Sequence, residues 1–368
     1  IMLESNVFEG ERLRLARVAQ GLTLDELGGR VGATRQYLNQ LEQSTKLPSE
    51  QMVAALAAAV GVTPRFFDLP SKGNVRPEQC HFRKQRTTPM SVVSQVIARG
   101  TLLDTFIGLL DRELNLPSVS FPDIPIKTVA EIEAAAEETR CVWKLGSGPI
   151  SSMMRVVENA GAVVSFFSGV SERVDALSID RPRPMIIRSE AKPAAVRLRF
   201  DLAHECGHLV MHKGVETGDK ATEDQANRFA SAFLLPRSSF IHEFPRGRVL
   251  NWQSIFNMKL RWKVSAAAII RRAYDLNVIS ADQYRTGYIH LSKTGQKKIE
   301  RHDDAIPTEE PELLGSAMSA LELTYPGAIR RLASEAGLDD SMFSNVSGLM
   351  LPKDVGVEEL NIVDFPRR

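Results

Sequence analysis

Cysteine is scarce in this 368-residue chain: Cys80, Cys141 and Cys206, odd in number and scattered. That usage excludes a disulfide framework and points to a reducing cytoplasm. Long apolar runs are also missing. The longest, Met52 to Val62, is about half of the ~20 residues that a bilayer-spanning helix requires. The polar start of the chain has no signal-peptide pattern, so no membrane partner is expected. Charge excess is absent too: 46 basic and 45 acidic residues leave +1, which excludes a globally basic protein and makes any nucleic-acid surface local. There is no internal repeat and no glycine-rich phosphate loop. What remains, 43% hydrophobic and 25% charged, is the composition of a soluble globular protein. Its length is too great for one ordinary core, and two to four domains are expected.

Chemistry concentrates in Phe200-Asp-Leu-Ala-His-Glu-Cys-Gly-His-Leu-Val-Met-His212. On a helix, His204 and His208 share one face, close enough for both imidazoles to hold one zinc ion, and Glu205 can serve as general base toward a water that the ion activates. A third ligand is needed. Glu223-Asp-Gln-Ala-Asn-Arg-Phe-Ala-Ser-Ala-Phe-Leu-Leu-Pro236 offers Glu223 or its neighbour Asp224 on a second helix. His212 extends the row, but at about 12 Å along the axis from His204 it cannot share the same ion; it reads as structural or substrate-contacting. Cys206 lies about 200° around the helix from His204, so it reads as a buried thiol. Arg197 and Arg199 would bind a carboxylate or nothing.

These two stretches together resemble the ImmA/IrrE family of zincin-type metallopeptidase domains, from about Ile150 to Leu276. The resemblance implies His204, His208 and Glu223 as ligands and Glu205 as the base. Glu223 is preferred to Asp224 because it places Asn227 four residues on, where related zincins keep the residue that orients a ligand histidine. Members of that family typically act in bacterial regulation, often by cutting or otherwise inactivating a repressor.

Residues 8–68 read as five short helices. Thr23 with Glu26 makes a capping box, Gly32 breaks the chain, and Thr34 caps the third helix. Leu15, Leu24, Leu27, Val31, Leu38, Leu41, Met52, Leu56 and Val60 form the expected core. Thr23 to Glu42 resembles the XRE or Cro-type helix-turn-helix through its second and third helices, which implies operator DNA as partner. It departs at Gln43-Ser44, where that family usually has glycine. Thr34, Arg35, Gln36, Tyr37, Asn39 and Gln40 are the candidate DNA contacts, being residue types that read base edges and phosphates. Seven basic and eight acidic residues through position 70 leave this unit without a basic excess, so its affinity should be modest and depend on a dimer.

Residues 71–100 hold six basic residues against one acidic, with Arg83-Lys84-Gln85-Arg86 the densest cluster; they read as a solvated linker or as phosphate contacts. Pro89 to Leu114 predicts a long helix that joins domains or dimerises. Thr128 to Trp143 and Ile150 to Ala160 predict helices. Ala162–Phe167, Ala176–Ile179 and Met185–Arg188 predict strands of a small antiparallel sheet, on whose edge an extended peptide could pair. Three helices over 249–291 should pack on the peptidase core, the alternative being a second helix-turn-helix-like unit. Acidic, proline-containing 301–311 reads as a linker, and two helices follow (313–325, 328–336).

The expected fold is multidomain, mainly α with an α+β part. Residues 1–70 form the helix-turn-helix bundle, 71–149 a basic linker and helical connector, 150–278 the zincin-like domain, and 279–368 a helical C-terminal region. The function expected is that of a cytoplasmic, dimeric bacterial regulator with a Zn²⁺ peptidase site that cleaves a repressor, an antitoxin or itself. The alternative is a non-proteolytic factor whose zinc domain senses or scaffolds.

Overall fold

The computed structural model describes residues 8–70, 73–82, 89–167, 169, 176–188 and 194–353. The Arg83–Arg86 cluster lies outside them. The N-terminal unit holds α1 (Gly10–Ala19), α2 (Leu24–Val31), α3 (Arg35–Glu42), α4 (Glu50–Val60) and a 3₁₀ turn, Pro64–Asp68. The starts follow from capping chemistry. Thr23 and Glu26 form the reciprocal box, and the Thr34 and Ser49 hydroxyls accept the amides of Tyr37 and Met52. Ser44, standing where glycine was expected, takes the left-handed conformation at φ 54°. Its hydroxyl accepts the Gly10 amide at 3.1 Å, so the serine ties the end of α3 to the start of α1. Leu27, Leu38, Leu41, Leu56 and Val60 are buried as expected, while Leu15, Leu24, Val31 and Met52 pack at the margin. Phe66 and Phe67 fill the centre from the 3₁₀ turn.

Next come β1 (Cys80–Phe82), α5 (Met90–Glu113), α6 (Val129–Val142), α7 (Met153–Asn159), β2 (Val163–Phe166), β3 (Ala176–Ile179) and β4 (Met185–Arg188). Then follow α8 (Ala195–Met211), α9 (Lys220–Leu234), α10 (Arg237–Glu243), α11 (Trp252–Trp262), α12 (Ala266–Asp275), α13 (Ala281–Lys293), α14 (Leu313–Thr324), α15 (Ala328–Glu335) and α16 (Asp340–Ser347). The sheet has the order β1-β3-β4-β2 and is mixed, not antiparallel. β3 and β4 pair antiparallel across the short turn at 180–184, and β1 takes the outer edge of β3. That leaves β2, arriving from α7, the free edge of β4, where it docks parallel.

Both sheet faces are covered, and the sheet divides two apolar cores. Leu177, Ile179, Met185 and Ile187 face α5, the N-terminal unit and α14–α16. Val164 and Ile186 face α8, α9 and α11–α13. α5 is long and apolar enough to cross a membrane by composition, yet it packs through Val96, Leu103, Phe106 and Leu110 into the first core. On it, buried Arg99 donates to Ala19 O at 2.8 Å and to Asn345 O at 3.4 Å, joining α1 to α16. Thr63 N–H donates to Gly337 O at 2.9 Å across the same seam.

The acidic segment after α13 is a strap fastened at every turn. Buried Lys259 pairs with Glu300 at 2.7 Å and Asp303 at 2.5 Å. Arg199, Arg188 and Arg155 bind Glu309, Glu310 and Glu312. Arg199 sits on α8 and also donates to Lys263 O (3.0 Å) and Ile150 O (2.7 Å), so it braces the helix that carries the histidines. Replacing a fully buried arginine of this kind strands the carboxylate and two carbonyls. Arg199→Ala should therefore cost about 3–5 kcal/mol in urea unfolding. Exposed Arg112→Ala, which breaks a surface pair, should cost less than about 1 kcal/mol; equal costs would contradict the bracing role.

Candidate metal centre

α8 and α9 pack closely because residue 207 is glycine: a Cβ there would stand 3.0 Å from the Phe229 ring. This contact brings the first turn of α9 against the histidine face of α8. His204 Nε2 and His208 Nε2 lie 3.1 Å apart, and each is 3.4 Å from a Glu223 carboxylate oxygen. Donors at ~2.0–2.1 Å around a tetrahedral ion stand about 3.3–3.4 Å from one another. The two imidazole nitrogens and the carboxylate, which turns one oxygen to each of them, are therefore spaced for one small cation. They form the one group of three or more such side chains gathered closely enough among the described residues. Asp224 does not join them; it lines a neighbouring cavity.

The rest of each imidazole is committed. His204 Nδ1 faces Asn227 Oδ1 at 3.0 Å, and His208 Nδ1 faces His212 Nδ1 at 2.9 Å, whose Nε2 faces Gln225 Oε1 at 2.8 Å. Side-chain amide oxygens only accept. The consistent assignment therefore has His204 donating to Asn227, His212 donating to Gln225, and His208 donating to His212, which leaves both Nε2 lone pairs free for a cation. His212 is thus structural, orienting His208, and the relay to Gln225 could not be read from sequence, since it needs α9 in place.

Glu205 is buried beside the triad. Ser178 Oγ on β3 donates to its Oε2 at 2.7 Å, while Oε1 has no hydrogen-bond partner. Burial pushes its carboxyl up to about 7, against the opposing charge of His204 and the Ser178 bond. Burial likewise pulls His208 down to about 4. For Glu223 burial acts upward, but the two adjacent histidines, His204 and His208, outweigh it and hold the carboxyl at about 2. A carboxylate facing two imidazole nitrogens is the donor set a zinc-type cation requires. Cys206 points into the apolar core, where burial pushes its thiol far up, so it is inert.

Two further residues close the site. His81 on β1 is fully buried, its ring stacked on that of His208 at 5.2 Å and 6°, with Nδ1 3.0 Å from Thr217 Oγ1. A cavity of about 800 Å³ is lined by Arg197, Asp201, Asp224, Asn227, Arg228 and Arg271, among others, but by none of the three donors nor by Glu205. That cavity therefore does not reach the triad.

In the N-terminal unit, Arg35, Gln36 and Asn39 are exposed along α3, Tyr37 and Gln40 are half-buried, and exposed Thr34 is occupied as the cap. Arg35 pairs with Asp25 at 3.3 Å in an exposed contact that costs little to exchange.

Two family models match the chain: a helix-turn-helix domain over residues 10–65 and an IrrE N-terminal-like domain over 157–274. No curated protein matches. Among solved structures, the chain is similar to that of ComR from S. thermophilus in complex with DNA and its signalling peptide ComS, at 11% identity and TM-score 0.16, over 89% of this chain and 98% of that one. A second is the competence regulator ComR from Streptococcus vestibularis in complex with its cognate signaling peptide XIP, at 13% identity and TM-score 0.14, with 89% and 98% covered. Similarity this low carries no argument. The two domain matches do: the chain is a helix-turn-helix domain fused to an ImmA/IrrE-type domain, the make-up of a DNA-binding transcription regulator.

Proposed function

We propose that this is a cytoplasmic, dimeric regulator of the XRE kind whose second domain binds zinc through His204, His208 and Glu223. In this reading it hydrolyses a peptide bond in a repressor, an antitoxin or itself. The observation that carries it is the meeting of two imidazole nitrogens, each oriented from behind, with the Glu223 carboxylate, and an unpaired oxygen of Glu205 buried beside them. A zinc ion held there supplies Lewis-acid polarisation of a carbonyl and of the attacking water. Glu205 takes the proton of that water as it adds to the carbonyl carbon, and returns it to the departing amide nitrogen. Ser178 holds the base in place. Asn227 and the His212–Gln225 pair keep the imidazoles turned toward the ion.

A second reading, a sensor or scaffold that cuts nothing, is favoured by one observation: His204, His208 and Glu205 are buried, and the cavity of about 800 Å³ beside them is lined by none of the three. Glu205→Gln separates the two. It should keep metal and operator binding while lowering proteolysis by at least ~10²–10⁴-fold. If target genes respond to the variant as to wild type, the sensor reading replaces the peptidase.

The metal assignment makes its own forecast. Purified chain should hold about one zinc by elemental analysis, and His204→Ala or Glu223→Ala should lose it. Asn227→Ala and His212→Ala should each weaken zinc by roughly 10–100-fold in competition with a chelator. Loss of zinc with Asp224→Ala but not with Glu223→Ala would contradict the ligand set.

On DNA, two copies should read half-sites about one turn (~34 Å) apart. Gln36→Ala or Asn39→Ala should cost about 1–3 kcal/mol and relax specificity at particular bases. Binding profiles without enriched sites would sink the regulator reading.

A further inference from the structure

β1 does not come from the segment that forms the IrrE-like domain. It is supplied by the connection between the DNA-binding unit and α5. Without it, the domain's own strands would end at β3, and β3 is the strand that carries Ser178 against Glu205. β1 lies antiparallel on that edge, with Cys80 opposite Ile179, His81 opposite Ser178 and Phe82 opposite Leu177. Asp180 N–H to Gln79 O, at 2.8 Å, extends the ladder by one pair. Residues directly opposite in a ladder share a face, so His81 is directed to the same side as Ser178. Its ring lies flat on His208 at 5.2 Å. An extended chain paired to the strand beside the base, with a side chain over a candidate ligand, is how a peptide would be held for cleavage.

We infer that β1 is the chain's own peptide seated on the substrate edge of the peptidase site, closing that site until the strand is displaced. The inference rests on the peptidase reading above. Three features fit a displaceable occupant better than a permanent strand. β1 has only three residues, which limits its backbone pairing. His81 Nε2 is buried without a hydrogen-bond partner, so the seated state carries an unmet polar group that leaving would relieve. The His81 ring lies over that of His208, so removing β1 uncovers His208 from the sheet side. Because β1 lies between the DNA-binding unit and α5, its departure also lengthens the tether of that unit.

The test uses the full chain and a fluorescein-labelled synthetic peptide with the sequence of Val75 to Phe82. Binding is followed by anisotropy for wild type and for the triple variant Cys80→Gly, His81→Gly, Phe82→Gly. The variant should bind the peptide at least tenfold more tightly than wild type, and the peptide should restore hydrogen-exchange protection lost at Ser178 and Asp180, whose amides face β1. If the folded variant, checked by circular dichroism and thermal unfolding, binds no more tightly than wild type, the inference is overturned. Should the triple variant not fold, the same titration of His81→Ala decides, and no gain there overturns it equally. Cutting is read separately, in the comparison of wild type with Glu205→Gln. A variant that gains binding while the chain never cuts overturns the peptidase reading and leaves the seating of β1 intact. Cutting without a gain in binding overturns only the seating.

Discussion

Two imidazole nitrogens and a carboxylate face one another across 3.1–3.4 Å in the interior of this protein, and the surrounding architecture serves to hold them there. Neutral imidazoles can be buried at modest cost if each ring nitrogen has a defined role. Asn227, His212 and Gln225 fill the roles on the outer side, leaving the Nε2 atoms directed inward. Gly207 permits the close approach of α9 that delivers Glu223. Arg199, tied to the acidic strap and to two carbonyls, holds α8 against the loop before α7.

The sheet transmits this site to the rest of the chain. One face touches the metal helix, and the other belongs to the core that the DNA-binding unit shares with α5 and the C-terminal helices. Alternation along β3 makes the division: Leu177 and Ile179 point into that shared core while Ser178 points at Glu205. A shift of β3 would therefore reach Glu205 and the shared core together.

Much of this was legible from local chemistry. Two histidines four apart with a glutamate between them, and a glutamate followed by asparagine four later, are helix-face patterns, and the structure brings those five side chains together. Capping residues located the N-terminal helices for the same reason, since a cap acts within four residues of itself. The failures are all long-range. β1 is three residues in a basic stretch, and its partner lies about a hundred residues on, so no periodicity marks it. His81 and Thr217 meet only through that pairing. The strap from Glu300 to Glu312 has a linker's composition, and its carboxylates find arginines and a lysine that only the fold assembles. The sheet was expected to be antiparallel because strand content says nothing of the order in which strands dock.

The account turns on a metal held by two imidazoles and one carboxylate, and X-ray absorption at the zinc edge of the loaded full-length chain tests that most directly. Two nitrogen scatterers at about 2.0–2.1 Å with imidazole outer-shell features, plus oxygen ligands and no sulfur, is the expected spectrum. A sulfur scatterer near ~2.3 Å, or a third imidazole that would bring His81 into the coordination sphere, would contradict it.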